Sequence, residues 1–189
     1  MPRRIVVAIT GASGAIYGVR TLQALRRVGG YEVHLVVSAA GRATISQETD
    51  VTPRDVEALA DVVHASGNIG ASIASGSFAT AGMIIAPCSV KTLSAVANGY
   101  TAELVSRAAD VQLKEGRPLL LLFRETPLHA GHLRLMTLAS EAGAILMPPV
   151  PAFWNRPGTI EEIVDHTVGR ALARLGVGNP LFSEWTGMA

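Results

Sequence analysis

A strand that runs straight into a glycine turn constrains this chain more than any other feature. Ile5-Val6-Val7-Ala8-Ile9-Thr10 is almost wholly apolar, and Gly11-Ala12-Ser13-Gly14-Ala15-Ile16-Tyr17-Gly18 follows without a spacer. Such a run reads as a strand buried on both faces, the kind that fills parallel sheets. Gly11 and Gly14 permit a tight turn and close approach of a ligand to the backbone. The helix that starts there directs free N–H groups and its positive end into the turn, an anion site whose expected guest is a phosphate. A plain glycine-tightened β–α turn is the alternative reading. The spacing differs from the dinucleotide fingerprint, which needs Gly-x-Gly-x-x-Gly and an acidic residue closing the second strand. Here Glu32-Val33-His34-Leu35-Val36-Val37 closes on Ser38. A serine bonds a phosphate or hydroxyl but cannot clamp a ribose diol, so the pattern speaks for a mononucleotide over NAD.

Strand-like and helical runs alternate along the rest of the chain. Leu22 to Arg27 continue the first helix, and Gly29-Gly30 ends it. Gly41 to Thr49 reads as a short helix. Thr52 then caps a new one, with Pro53 at its first position, reaching to about Leu59. His64 to Ser77 has no clear period and reads as a loop. Met83 to Pro87, Pro118 to Phe123 and Ala144 to Met147 are further strands, with helices between them, His132 to Ala142 and Thr159 to Leu175 the clearest. The expected fold is α/β, a Rossmann-like (flavodoxin-like) parallel sheet with helices on both faces. No repeat or linker interrupts it, so residues 1–189 are expected to form a single domain with a C-terminal tail from about 176.

Composition narrows the partners. A net charge of +1 creates no long-range field, and no Lys/Arg run is interleaved with aromatics, which argues against nucleic acid. No apolar run reaches the length of a membrane span, and Met1-Pro2-Arg3-Arg4 leads directly into the first strand without a signal-peptide core. The lone Cys88 rules out an intrachain disulfide and a multi-cysteine metal site, and fits the reducing cytoplasm. Charged residues make up only 16% of the chain, which suggests that apolar surface is covered by further copies of it.

In parallel sheets, ligands sit outside the carboxyl ends of the strands. The residues there are Gly11-Ala12-Ser13, Ser38, Cys88 to Thr92, Arg124-Glu125-Thr126 and Pro149 to Trp154. Ser89-Val90-Lys91-Thr92 suits a flavin edge or a phosphate, and equally a helix N-cap by Ser89. Arg124 and Glu125, directly after an apolar strand, must pair or serve a ligand if buried. Cys88 reads as a small buried hydrophobe rather than a nucleophile, and His129 and His132 as capping or solvated residues rather than metal ligands. Arg170, on the last helix beside Asp165-His166, reaches either a phosphate on a neighbouring subunit or a surface ion-pair partner. Trp185 stands in the tail, where an indole can close over an apolar ligand.

Taken together, Gly11 to Ala15, Ser75-Gly76-Ser77-Phe78, Ala86 to Thr92, Arg107 to Asp110, Arg124 to His129 and Val164 to Arg170 resemble the UbiX/Pad1 flavin prenyltransferases. The likeness runs from the first strand to about Leu175. It implies that reduced FMN is joined at N5 and C6 to the dimethylallyl group of dimethylallyl phosphate, giving prenylated FMN for a UbiD-type decarboxylase. It also implies a metal-independent transferase and a homo-oligomer, a dodecamer. Carried over by position, Gly11, Ala12, Ser13, Ser38, Ser89, Val90, Lys91, Thr92 and Arg124 would bind FMN. Trp154, Arg170, Lys114, Arg107 and Trp185 would hold the prenyl substrate, and Glu48, Glu125 and Ser13 would be catalytic. Several cations are needed because the departing phosphate must be neutralised as the carbon–oxygen bond loosens. The chain departs from the family at Trp154, where tyrosine is usual, and at Ala79 and Ala39, where basic residues are common. An FMN-binding homologue with lost or altered donor chemistry is one alternative. An FMN-dependent cysteine decarboxylase is another, for which no catalytic histidine follows an early helix.

Overall fold

The apolar runs become the centre of a parallel sheet. In the computed structural model, which describes residues 3–187, β1 (Arg3–Ile9), β2 (Tyr31–Val37), β3 (Val62–Ala65), β4 (Gly82–Cys88), β5 (Leu119–Phe123) and β6 (Ile145–Leu146) pair in the order β3-β2-β1-β4-β5-β6. All the pairings are parallel. Met1 and Pro2, which lead into the first strand, lie outside the described residues. Helices α1 (Ala15–Val28), α2 (Ala39–Glu48), α3 (Pro53–Glu57), α4 (Val90–Ala97), α5 (Leu104–Lys114), α6 (Ala130–Glu141) and α7 (Ile160–Arg174) complete the chain.

Side chains alternate across the sheet, and each face builds its own core. Ile5, Val7 and Ile9 pack with Val19, Leu22 and Leu25 of α1 and Val164, Val168 and Leu172 of α7. Val6 and Ala8 face the other way, onto Leu93 of α4, Leu104 and Ala108 of α5 and Ala139 of α6. Close packing of α1 depends on Gly18, where a Cβ would stand 2.6 Å from the Ile9 side chain. The expected start of α3 holds, with Thr52 and Asp55 in a reciprocal capping box and Pro53 in the first turn, but the helix ends at Glu57 rather than about Leu59.

The loop expected from His64 to Ser77 is corrected. Val62–Ala65 is a sixth strand, paired beside β2 in register His34↔Val62, and Ser72–Ala74 forms a single 3-10 turn. Only four residues long and alternately half-exposed, β3 presents too little apolar signal before the Gly/Ser-rich stretch begins. The tail is also tied down over its first part. Val177 is fully buried, and the Asn179 amide donates to the Gly169 carbonyl at 3.0 Å, holding Leu181 against α7. Among the described residues, no helix is long and apolar enough to cross a membrane.

Candidate functional site

The strand order reverses between β1 and β4, and the connections leaving those strands diverge to opposite faces. The gap at their carboxyl ends is where α/β sheets place ligands. Thr10, the first residue past β1, locks this edge. Its hydroxyl donates to the Pro87 carbonyl at 2.7 Å and accepts from the Ser89 amide at 2.9 Å, while its own N–H reaches the same carbonyl at 3.2 Å. The glycine turn and the start of α4 are thereby held side by side.

A cleft of about 440 Å³ opens there. Gly11, Ala12 and Ser13 line it from β1, Ser38 from β2, Ser89, Val90, Lys91 and Thr92 from β4, and Arg124 and Glu125 from β5. Every residue expected to bind FMN is on its wall. Ser66, Ala39, Ala40 and Glu103 line it too and were not expected to. Ser66 follows β3, so the missed strand hid it; its place directly after Val62-Val63-His64-Ala65 was the available signal.

The capping and ligand readings of the two serines coexist. Ser38 Oγ accepts from the Gly41 amide at 3.0 Å and caps α2; Ser89 Oγ accepts from the Thr92 amide at 3.3 Å and caps α4. Each cap occupies an acceptor lone pair and leaves the O–H to donate. Two helix N-termini, those of α2 and α4, therefore converge on one cleft.

The third N-terminus differs from expectation. The anion at the start of α1 is internal: Glu48 Oε2 accepts from the Gly14 amide at 2.7 Å and the Ala15 amide at 3.1 Å. Gly14 takes φ 97° to present those amides. Burial raises the Glu48 carboxyl, but bonds from the Ser13 hydroxyl and the two amides, with the Arg124 charge, outweigh it and hold the group below its ordinary value. Ser13 and Glu48, two of the expected catalytic residues, thus stand close enough at the cleft edge for the hydroxyl to act on the carboxyl. Arg124 also lowers the Tyr17 phenol, although burial dominates and raises it. The Arg124 charge therefore reaches back across the cleft to the glycine turn.

Arg124 and Glu125 are both solvent-exposed and make no ion pair among the described residues, so burial does not force them together. Glu125 Oε1 accepts from the Thr126 amide at 2.9 Å. Lys91 bonds Glu103 at 2.6 Å along the cleft wall. Cys88 is fully buried, and burial pushes its thiol far up, as befits a core residue. His129 caps α6 through Nδ1, which accepts from the Gly131 amide at 2.9 Å.

The residues expected to hold the prenyl substrate fall into two groups. Trp154, Arg170 and Trp185 share a separate cleft of about 380 Å³ with His166 and Phe182. Trp154 meets Trp185 edge-on at 5.1 Å between ring centroids, so the tail indole does pack over this cleft. Arg107 and Lys114 belong to neither cleft of the single chain. They lie on α5, where Arg107 bonds Asp110 at 2.8 Å and the Ala74 carbonyl at 3.2 Å, and Lys114 pairs with Glu115. Their expected grip on a prenyl phosphate is therefore not formed within one chain. No group of three or more potential metal ligands occurs among the described residues.

The family described as Flavoprotein matches residues 1–171. A flavin prenyltransferase UbiX of Escherichia coli (strain K12) is 57% identical over 187 residues, covering 98% of this chain and 99% of its own length. The solved structure of AnUbiX (PadA1) in complex with FMN and dimethylallyl pyrophosphate superimposes with a TM-score of 0.97 at 49% identity, covering all of both chains. A dodecameric FMN-dependent UbiX-like decarboxylase from Escherichia coli O157:H7 does so with a TM-score of 0.95 at 48% identity, over 97% of this chain and 100% of the other.

Proposed function

The chain belongs to the UbiX family of flavin prenyltransferases, and on that premise we propose that the cleft at the sheet edge holds FMN and the Trp154–Arg170–Trp185 cleft holds the prenyl phosphate. The observation that carries the reading is the convergence of all nine expected flavin-binding positions, from separate strand ends, on one wall with the Ser13–Glu48 pair at its edge. Reduced FMN, one of two substrates, supplies the nucleophilic N5 and C6.

The side chains have distinct tasks. Arg170 and the Trp154 indole N–H neutralise and orient the phosphate, which leaves with the electron pair of the breaking carbon–oxygen bond. Trp154 and Trp185 present ring faces to the allylic carbon, favouring positive charge there and excluding water. Glu48, ionised at neutral pH because its carboxyl is held low, accepts the proton released at C6 through the Ser13 hydroxyl.

The two clefts share no lining residue within one chain. We place them together across an interface between copies in a homododecamer, where Glu125, Arg107 and Lys114 of one copy come beside Arg170 of another. The product passes to a UbiD-type decarboxylase in the cytoplasm. Mixing tests the shared site: inactive Arg124→Ala and Arg170→Ala chains, co-assembled in equal amounts, recover about a quarter of wild-type transfer because that share of interfaces keeps both arginines. No recovery, with both parents folded and wild type active, contradicts a site built from two copies. Restoring an apo UbiD-type decarboxylase with the reaction product tests the destination.

A further inference from the structure

The Trp154 cleft contains a polar group that the proposed transfer has not yet used. His166 is only 6% exposed, yet its Nε2 has no hydrogen-bond partner. Leaving a ring nitrogen buried and unbonded is costly unless something else satisfies it. The other ring nitrogen, Nδ1, stands 3.5 Å from the Asn155 amide nitrogen. With that amide donating, Nδ1 accepts, and the proton of the neutral ring is assigned to Nε2. The free atom is then a donor.

Its surroundings select an anion. A second cleft, lined by Asn155, Arg156 and Asp165, meets the Trp154–Arg170 cleft at His166. Four acidic or basic neighbours besides Arg170 line this junction, and two of the three acids are already engaged. Asp165 is held by Arg20 through two bonds of 2.6 and 2.8 Å. Glu162 accepts from the Gly158 amide at 2.6 Å. Arg156 and Arg170 form no ion pair among the described residues. Glu184, in the tail, is the remaining carboxylate of the Arg170 cleft. Two guanidinium groups without ion pairs among the described residues and one orphaned donor thus share this space with a single carboxylate, Glu184, which leaves the junction net positive. The ring is kept uncharged: burial lowers its proton affinity first, and the Arg170 charge lowers it further.

We propose that His166 Nε2–H donates a hydrogen bond to the phosphate of the prenyl donor, beside Arg170, and so fixes that group before and during its departure. The proposal rests on the assignment of this cleft to the prenyl phosphate made above. No proton is transferred. As the carbon–oxygen bond breaks, its electron pair moves onto the phosphate, and a neutral donor strengthens its bond to that oxygen without adding charge. Ring stacking supports the placement, because Trp154 and Phe182 meet His166 edge-to-face at 5.9 and 6.3 Å and hold its plane.

The test compares His166→Phe, which keeps an aromatic ring but no donor, with His166→Gln, whose amide returns a donor near the Nε2 position. Both are assayed with reduced FMN and dimethylallyl phosphate, with FMN affinity as the control for an intact fold. In His166→Phe the KM for dimethylallyl phosphate rises by about ten- to a hundred-fold, the usual worth of a bond to a charged group. The inhibition constant of inorganic phosphate rises in parallel, FMN affinity is unchanged, and His166→Gln recovers most of the loss. An unchanged KM and phosphate inhibition in an active His166→Phe enzyme overturns the assignment of His166 alone. A wild type that neither transfers the prenyl group nor is bound by phosphate overturns the reading of the cleft, and this proposal with it.

Discussion

Replacing Thr10 by valine tests how the sheet edge is assembled. Valine has the same shape, so packing at this buried position, 1% exposed, is preserved and only the hydroxyl is lost. The Pro87 carbonyl keeps the Thr10 backbone N–H at 3.2 Å, but the Ser89 amide loses its acceptor at 2.9 Å. An orphaned buried amide costs about 1–3 kcal/mol, and partial access of water to Ser89 places the loss near about 2 kcal/mol. For a domain of this size that lowers Tm by roughly 4–8 °C. Thr10→Ser keeps both hydrogen bonds and loses one buried methyl group, about 0.8 kcal/mol, so its Tm falls less. Scanning calorimetry of both variants gives the order, and flavin titration gives the functional consequence: Thr10→Val binds FMN more weakly, Thr10→Ser does not. A valine variant as stable as the serine one, with undiminished FMN affinity, refutes the idea that this hydroxyl joins the glycine turn to α4.

Three further outcomes are expected. Glu48→Gln loses about 0.5–1 kcal/mol at neutral pH, the worth of an exposed carboxylate at a helix N-terminus, together with C6 proton removal. Because the folded carboxyl sits below its unfolded value, this contribution is present above about pH 4.5 and disappears as pH falls through the folded pKa, so wild-type and variant Tm values converge in acid; a gap that widens in acid contradicts the cap. Native protein resists alkylation at Cys88 at neutral pH and takes up one equivalent only in denaturant, as the intact mass shows. Trp154→Tyr brings no large gain in transfer rate, whereas Trp185→Ala raises the KM for the prenyl phosphate by removing the edge contact at 5.1 Å; a large gain from tyrosine shows that the indole is a decayed position.

The cleft at the sheet edge was legible because a parallel sheet gathers ligands at one edge, and Gly11, Ser38, Ser89 and Arg124 each stand immediately after a strand's apolar run. What escaped notice depends on contacts remote in sequence. Glu48 caps α1 from 34 residues away, and no local pattern announces that. His166 is buried because the tail folds back over α7; a polar pair, His166-Thr167, enclosed by the core residues Val164 and Val168 was the only trace. Arg107 and Lys114 carry a resemblance by position, yet one chain engages them with their own helix neighbours. Positional likeness transfers residue identity, while the geometry of an interface has to come from the neighbouring copy.

The most direct measurement is anaerobic incubation of the purified protein with reduced FMN and dimethylallyl phosphate, followed by mass spectrometry of the released flavin. The account predicts FMN heavier by one prenyl unit, formed by wild type and strongly reduced in Arg170→Ala. Recovery of unmodified FMN alone, from protein that binds the flavin, contradicts it.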